Sequence, residues 1–280
     1  MQTVGVIGLG NMGQPVAERI ARHGIDTVVY DKREAPLAAL REIGAHVASS
    51  PADLASRCEL ICVLVNSEEQ LMDVMRGGQD AGLLTCANRG TTIVIHSTVS
   101  PAVCRELAHR GRESGLVVID APLSGLETAA RDGTLSLMVG GPASALEACR
   151  LVFSAYASNI FHVGDVGAGQ TVKIINNLMT LVNANTAREA LSLAAKAGIA
   201  PCKMLEVSRV STSDSWALRN FDALNDVGDH YPGGRQAFQD VAAKDLKLAI
   251  SLGKAYGVSL SSPDTALKSY REFFTRLWVA

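Results

Sequence analysis

Thr3-Val4-Gly5-Val6-Ile7-Gly8-Leu9-Gly10-Asn11-Met12-Gly13, continued by Pro15-Val16-Ala17-Glu18-Arg19-Ile20-Ala21-Arg22-His23-Gly24, reads as strand, glycine turn and helix. The valine- and isoleucine-rich run predicts the strand. Apolar spacing closed by Gly24 predicts the helix. Gly8 permits the tight turn, Gly10 lets the backbone approach a pyrophosphate, and Gly13 lets the helix pack close to the strand. The helix start offers N–H groups and a positive dipole end to phosphates. Leu9, Asn11 and Met12 complete the turn and belong to the same predicted dinucleotide site.

Three glycines alone are weak evidence, but a second strand, Thr27 to Tyr30, follows and ends at Asp31. An acid there accepts hydrogen bonds from the ribose hydroxyls of NAD and repels the 2′-phosphate of NADP; otherwise it is a turn residue. Motif, strand and spacing together favour the cofactor role. Lys32 and Arg33 are either solvated or able to meet a 2′-phosphate. The expectation is NAD, with NADP tolerated.

Working outward, alternating strands and helices continue to about residue 163. Strands are expected at 3–7, 27–30, 45–48, 59–65, 92–96 and 116–120, and near 135–140 and 159–163. This predicts an α/β fold, a Rossmann-type, mostly parallel sheet of right-handed βαβ units. After Gly169 the strand signal ends. A helix over 170–197 is too long for a crossover, and helices near 202–209, 215–224, 237–256 and 263–277 follow, with loops at Asp226–Asp229 and Pro232–Gly234. The expected division is a dinucleotide-binding domain, 1–163, and an all-helical domain, 164–280.

The 280 residues carry a net charge of −2 with no block of like charge, which argues against nucleic acid or an anionic membrane as partner. The six cysteines, Cys58, Cys62, Cys86, Cys104, Cys149 and Cys202, form no CxxC pair and read as reduced thiols of a cytoplasmic protein. The six histidines form no metal-like cluster, so no metal is expected. No signal peptide or membrane span is read in the sequence.

Lys173 and Asn177 lie four residues apart in the long predicted helix, so an ammonium and a carboxamide project from one face. Taken alone, the lysine is as readily a surface or snorkelling residue as a proton-transfer group in a desolvated pocket. The dinucleotide site favours the second. Ligands of open α/β sheets bind beyond the carboxyl ends of the strands. Those ends carry Val65-Asn66-Ser67, His96-Ser97-Thr98 and Asp120-Ala121-Pro122-Leu123-Ser124-Gly125. Ser67, His96 and Ser97 read as turn chemistry. Thr98 is a candidate nicotinamide contact, and Ser124 with the Gly125 backbone a candidate carboxylate site.

Four ordered segments carry a family resemblance: Gly8 to Gly13; Asp120 to Gly125 with Gly133-Thr134-Leu135; Gly167-Ala168-Gly169 through Lys173 and Asn177; and Lys244-Asp245-Leu246. Over nearly its whole length the chain resembles the β-hydroxyacid dehydrogenases, which include 3-hydroxyisobutyrate dehydrogenase-like and L-threonate dehydrogenase enzymes. The resemblance implies a small hydroxy-acid substrate, Lys173 as catalytic acid/base, Asn177 on the substrate, Ser124 and Gly125 on its carboxylate, and Lys244 near the nicotinamide. Val65-Asn66, as part of the cofactor site, is similar to the L-threonate branch. Leu126 and Ala129 stand where the family writes glycine, and Leu126 is placed to reshape the substrate loop. Ala237 replaces a phenylalanine of several relatives. An imine reductase shares the architecture but lacks the lysine. A non-catalytic NAD-binding regulator needs none of Lys173, Asn177 and Lys244. The apolar character of 170–197 exceeds one buried face and predicts a homodimer or homotetramer built through the helical domain.

Overall fold

The structure, a computed structural model, describes residues 2–78 and 81–269. The chain forms two compact units, Met1–Lys173 and Ile174–Ala280. The first contains β1 (Val4–Ile7), α1 (Gly13–Arg22), β2 (Thr27–Tyr30), α2 (Glu34–Glu42), β3 (His46–Val47), α3 (Pro51–Arg57), β4 (Leu60–Val63), α4 (Glu68–Arg76), α5 (Leu83–Cys86), β5 (Thr92–Ile95), α6 (Pro101–Glu113), β6 (Val117–Asp120), β7 (Leu123–Ser124), α7 (Leu126–Asp132), β8 (Leu135–Gly140), α8 (Ala143–Ser154) and β9 (Ala157–Gly164). The helix α9 (Ala168–Lys196) starts in the first unit and runs on into the second.

The sheet order is β3-β2-β1-β4-β5-β6-β8-β7, with β9 also paired to β8. Pairs from β3 through to β6 are parallel, β8 runs antiparallel to β6 and β7, and β9 is parallel to β8. Alternation along β1 assigns side chains to two faces. Val4 and Val6 join Val16, Ile20, Leu40 and Phe153 in one core. Ile7 joins Leu54, Leu71, Met75 and Leu107 in the other. A sheet covered on both faces explains why its strands are nearly continuous apolar runs. The order reverses between β1 and β4, which opens a crevice at their carboxyl ends.

Beyond Lys196 the second unit holds α10 (Pro201–Ser208), α11 (Trp216–Arg219), α12 (Phe221–His230), α13 (Gly234–Ala255) and α14 (Ser261–Lys268). Ala187 and Leu191 of α9 pack with Leu205, Leu218 and Phe221. Two details differ from expectation. Asp226 to Asp229 is helix, not loop, within α12. Gly228 is buried there inside the helix, where a Cβ would come into contact with Phe238 and Arg235 at 3.4 Å, so this glycine does not make a turn. The single helix expected at 215–224 is two, meeting at Asn220. The last part of the helix expected at 263–277 lies outside the described residues. Among the described residues no helix is long and apolar enough to cross a membrane.

Candidate active site

The glycine turn joins β1 to α1. Gly8 has φ +89°, and a side chain on it would strike the Leu64 backbone. A Cβ on Gly13 would overlap the Gly8 carbonyl, so the helix sits against the turn as the spacing predicts. Gly10 differs: the nearest atom to a Cβ there is Asn66 Oδ1 at 4.0 Å. That open face leaves room for a ligand to approach the backbone. No side chain caps α1 at Met12. The open backbone at Gly10 and the uncapped start of α1 leave a helix N-terminus of the kind that suits an anionic group.

Asp31 does more than end β2. Its Oδ2 accepts the Leu9 N–H at 2.7 Å, and its Oδ1 accepts the Arg33 N–H at 2.9 Å. The Arg33 guanidinium donates to both oxygens and also to the Leu9 carbonyl at 2.8 Å. Burial alone would raise the Asp31 carboxyl, but the hydrogen bonds from Arg33 and Leu9 outweigh it and hold it below its ordinary range. Asp31 is therefore ionised and tied to the turn. Lys32 beside it is exposed.

The next strand ends are cross-tied. Ser97 Oγ accepts the Val65 N–H at 2.9 Å, and Gln70 Oε1 accepts the Asn66 N–H at 3.0 Å. Ser67 caps α4 and Ser100 caps α6. These bonds hold Val65, Asn66 and the loop bearing Thr98. His96 belongs to the core: its Nδ1 donates to Ala121 O at 2.5 Å and its Nε2 accepts from Tyr156 at 3.1 Å. Burial presses His96 down to about 4, so the ring is neutral.

Ser124 pairs with Ser136 across the β7–β8 ladder. A two-residue strand carries too short a pattern to be read from sequence. Gly125 has φ +140°, and a side chain on it would meet Ala129 at 2.6 Å. Leu126 follows with φ +64°, the one non-glycine residue with positive φ among the described residues. A left-handed leucine, at a position where the resemblance expects glycine, holds this turn at a cost of about 1–2 kcal/mol.

Lys173 lies in the second turn of α9 and is 9 % exposed. The start of this helix is anchored from a distance: Asp120 Oδ1 accepts the Gly167 N–H at 2.6 Å and Oδ2 accepts the Gln170 N–H at 2.8 Å. Gln170, wholly buried, donates from Nε2 to Ser97 O at 2.8 Å and accepts the Val99 N–H at 3.1 Å. So the first unit gathers Lys173, the Thr98 loop and the end of β6.

In the second unit Asn177 Nδ2 donates to Asp245 Oδ2 at 2.6 Å. Lys244 Nζ stands 3.0 Å from Asp245 Oδ1. Burial first, then the Asp245 charge, raises the Tyr231 hydroxyl. Asp245 thus links two expected site residues. The sequence pattern assigns no role to Asp120, Gln170 or Asp245. Each lies inside a quoted motif, but a buried anchoring role has no periodic signature.

Residues 3–164 match the family model described as the NAD binding domain of 6-phosphogluconate dehydrogenase. Residues 167–276 match the one described as NAD-binding of NADP-dependent 3-hydroxyisobutyrate dehydrogenase. The mitochondrial 3-hydroxyisobutyrate dehydrogenase of Rattus norvegicus is 34% identical over 88% of this chain and 74% of its own. The NAD-dependent L-serine dehydrogenase of Pseudomonas aeruginosa is 33% identical over 97% and 92%. A crystal structure of 3-hydroxyisobutyrate dehydrogenase from Salmonella typhimurium superposes with a TM-score of 0.86, at 31% identity, over 97% of this chain and 94% of that one.

Proposed function

The chain belongs to the β-hydroxyacid dehydrogenase family and is an NAD(P)-dependent enzyme, and on that premise we propose that it interconverts a small β-hydroxy acid with its semialdehyde or keto acid, Lys173 acting as general acid/base. The observation that carries this reading is a buried lysine in the second turn of a helix whose first turn is pinned to the end of β6, beside the loops of a dinucleotide fold.

The glycine turn, Asp31, Val65, Asn66 and Thr98 would hold the cofactor, with Lys32 at the edge of the ribose site. NAD, when bound, supplies the hydride acceptor. Neutral Lys173 takes the substrate hydroxyl proton on Nζ, and in the reverse direction its ammonium returns that proton. Its charge also offsets the developing alkoxide. Ser124 Oγ and the amides at Gly125 and Leu126 take the substrate carboxylate. Asn177 and Lys244 have the substrate and nicotinamide roles that the resemblance implies. Val172, Ile175 and Met179, exposed along one side of α9, support assembly as a homodimer or homotetramer.

A panel of 3-hydroxyisobutyrate, L-serine and L-threonate with NAD, followed by NADH absorbance, tests the reaction class. Turnover of at least one is expected. NAD binding without turnover of any small hydroxy acid favours a regulator instead. Lys173→Ala is expected to lower kcat by about 10²–10⁴-fold with NAD affinity unchanged. Wild-type turnover in that variant removes the lysine from the mechanism.

A further inference from the structure

Asp120 is a wholly buried carboxylate whose two oxygens both bind the start of one helix. A carboxylate at a helix N-terminus usually comes from the adjacent N-cap. This one reaches α9 from 47 and 50 residues earlier in the chain. The cap is therefore tertiary: it fixes where on the sheet the helix begins. Glycines make the contact possible. A Cβ on Gly140 would lie 2.6 Å from Asp120 Oδ1, and one on Gly169 would lie 2.8 Å from Oδ2. Only bare backbone fits around the carboxylate. Gln170 extends the connection: its N–H is held by Asp120, while its amide bonds Ser97 O and the Val99 N–H, bracketing Thr98.

We propose that Asp120 and Gln170 are positioning residues, Asp120 setting the height and rotation of Lys173 through the first turn of α9, and Gln170 passing the same registration to the loop bearing Thr98. This rests on the reading of Lys173 as the acid/base group. Lys173 lies three residues, about 4.5 Å of helix rise, beyond Gln170. Loosening of the first turn is therefore felt at its Nζ, and displacement of a catalytic group by about 1 Å can cost about 10²-fold in rate. Burial, the largest influence, raises the Asp120 carboxyl to about 6 despite the two N–H bonds and the Arg105 charge. Its ionised form thus contributes location at some expense of stability. Burial first, then the Asp120 charge, raises the Cys104 thiol of α6.

The test uses the full-length enzyme with Asp120→Asn, Gln170→Met and Lys173→Ala in parallel, on whichever of 3-hydroxyisobutyrate, L-serine or L-threonate turns over. Asp120→Asn retains one acceptor and turns an NH2 toward the second backbone N–H. The expected result is a kcat lowered about 10–100-fold, a KM for NAD within about twofold of wild type, and a displaced pH limb for oxidation. Amide hydrogen exchange in 165–173 should quicken, a readout that needs no substrate. Gln170→Met should lower kcat and quicken exchange at 97–99, and it carries the test if Asp120→Asn does not fold. A lowered Tm with kcat, pH limb and exchange all unchanged would overturn the proposal, since a merely structural bond predicts that. If Lys173→Ala itself turns over normally, the Lys173 reading fails. If only that variant is inactive while the other two match wild type, the positioning proposal fails alone.

Discussion

Arg33 lies across Asp31, its Nε 2.9 Å from Oδ1 and its Nη2 3.1 Å from Oδ2, while the same Nη2 reaches the Leu9 carbonyl at 2.8 Å. The acid that ends β2 is therefore shared between the glycine turn and an arginine. Asp31 still opposes a 2′-phosphate, but Arg33 offsets part of its charge and is itself half exposed, ready to turn toward one. A lower KM for NAD than for NADP is expected in the wild type. Arg33→Ala should widen that gap, since Asp31 is then unopposed. Asp31→Ala should narrow or invert it. Initial-rate kinetics with both dinucleotides decide, and a wild-type preference for NADP would refute the role given to Asp31.

Leu126 offers a test of the substrate loop. Its φ of +64° suits glycine and penalises branching at Cβ. Leu126→Val should destabilise by about 1–2 kcal/mol in denaturant unfolding. Leu126→Gly should fall within about 1 kcal/mol of wild type, because relief of strain is opposed by unfolded-state entropy and lost packing. Its larger effect should be on substrate choice, seen as altered relative kcat/KM across the hydroxy-acid panel. Identical specificity in Leu126→Gly would show that the leucine side chain does not border the substrate.

Asp245 joins Asn177 to Lys244 within the second unit. Removing it leaves a half-buried carboxamide and an ammonium without this partner. Asp245→Ala is expected to cost about 1–3 kcal/mol and to raise the KM for the hydroxy acid through loss of Asn177 orientation. Asp245→Asn, which keeps an acceptor for Asn177 but loses the charge beside Lys244, should retain the substrate KM better than Asp245→Ala. Equal KM values in all three proteins would separate Asn177 from substrate binding.

Much of this was legible in the sequence because it is written in local pattern. Val4 to Ile7 is continuous because both faces of β1 are buried, and Gly8 and Gly13 occur where backbone touches backbone. What escaped depends on contacts distant in sequence. Gly228 and its flanking aspartates look like a turn, yet they lie within α12 with the glycine buried beside Phe238. His96 reads as turn chemistry but closes a core hydrogen-bond chain with Tyr156, 60 residues away. Asp120 falls at a strand end, where a polar residue suggests a solvent-facing rim, and only its bonds to Gly167 and Gln170 show it turned inward.

Those two buried groups set opposing pH dependences. Asp120 is raised from 3.8 to about 6, with burial the leading cause. Across that window the folded chain keeps a proton that the unfolded chain has released, so stability falls as pH rises, by about 3 kcal/mol in all. His96 is lowered from 6.5 to about 4, again by burial first, and it faces Ala121 O and Tyr156. Here the unfolded chain takes up a proton that the folded chain refuses. Its contribution is present above the unfolded pKa of 6.5 and is lost as pH falls toward about 4, also by about 3 kcal/mol. The two slopes nearly cancel in the wild type between about pH 4 and pH 6. Asp120→Asn should expose the histidine term, giving stability that increases with pH over that range. His96→Gln should expose the aspartate term, giving stability that decreases. Urea unfolding at four or five pH values measures both slopes, and variants that follow the wild-type pH profile would show that neither group carries the assigned proton.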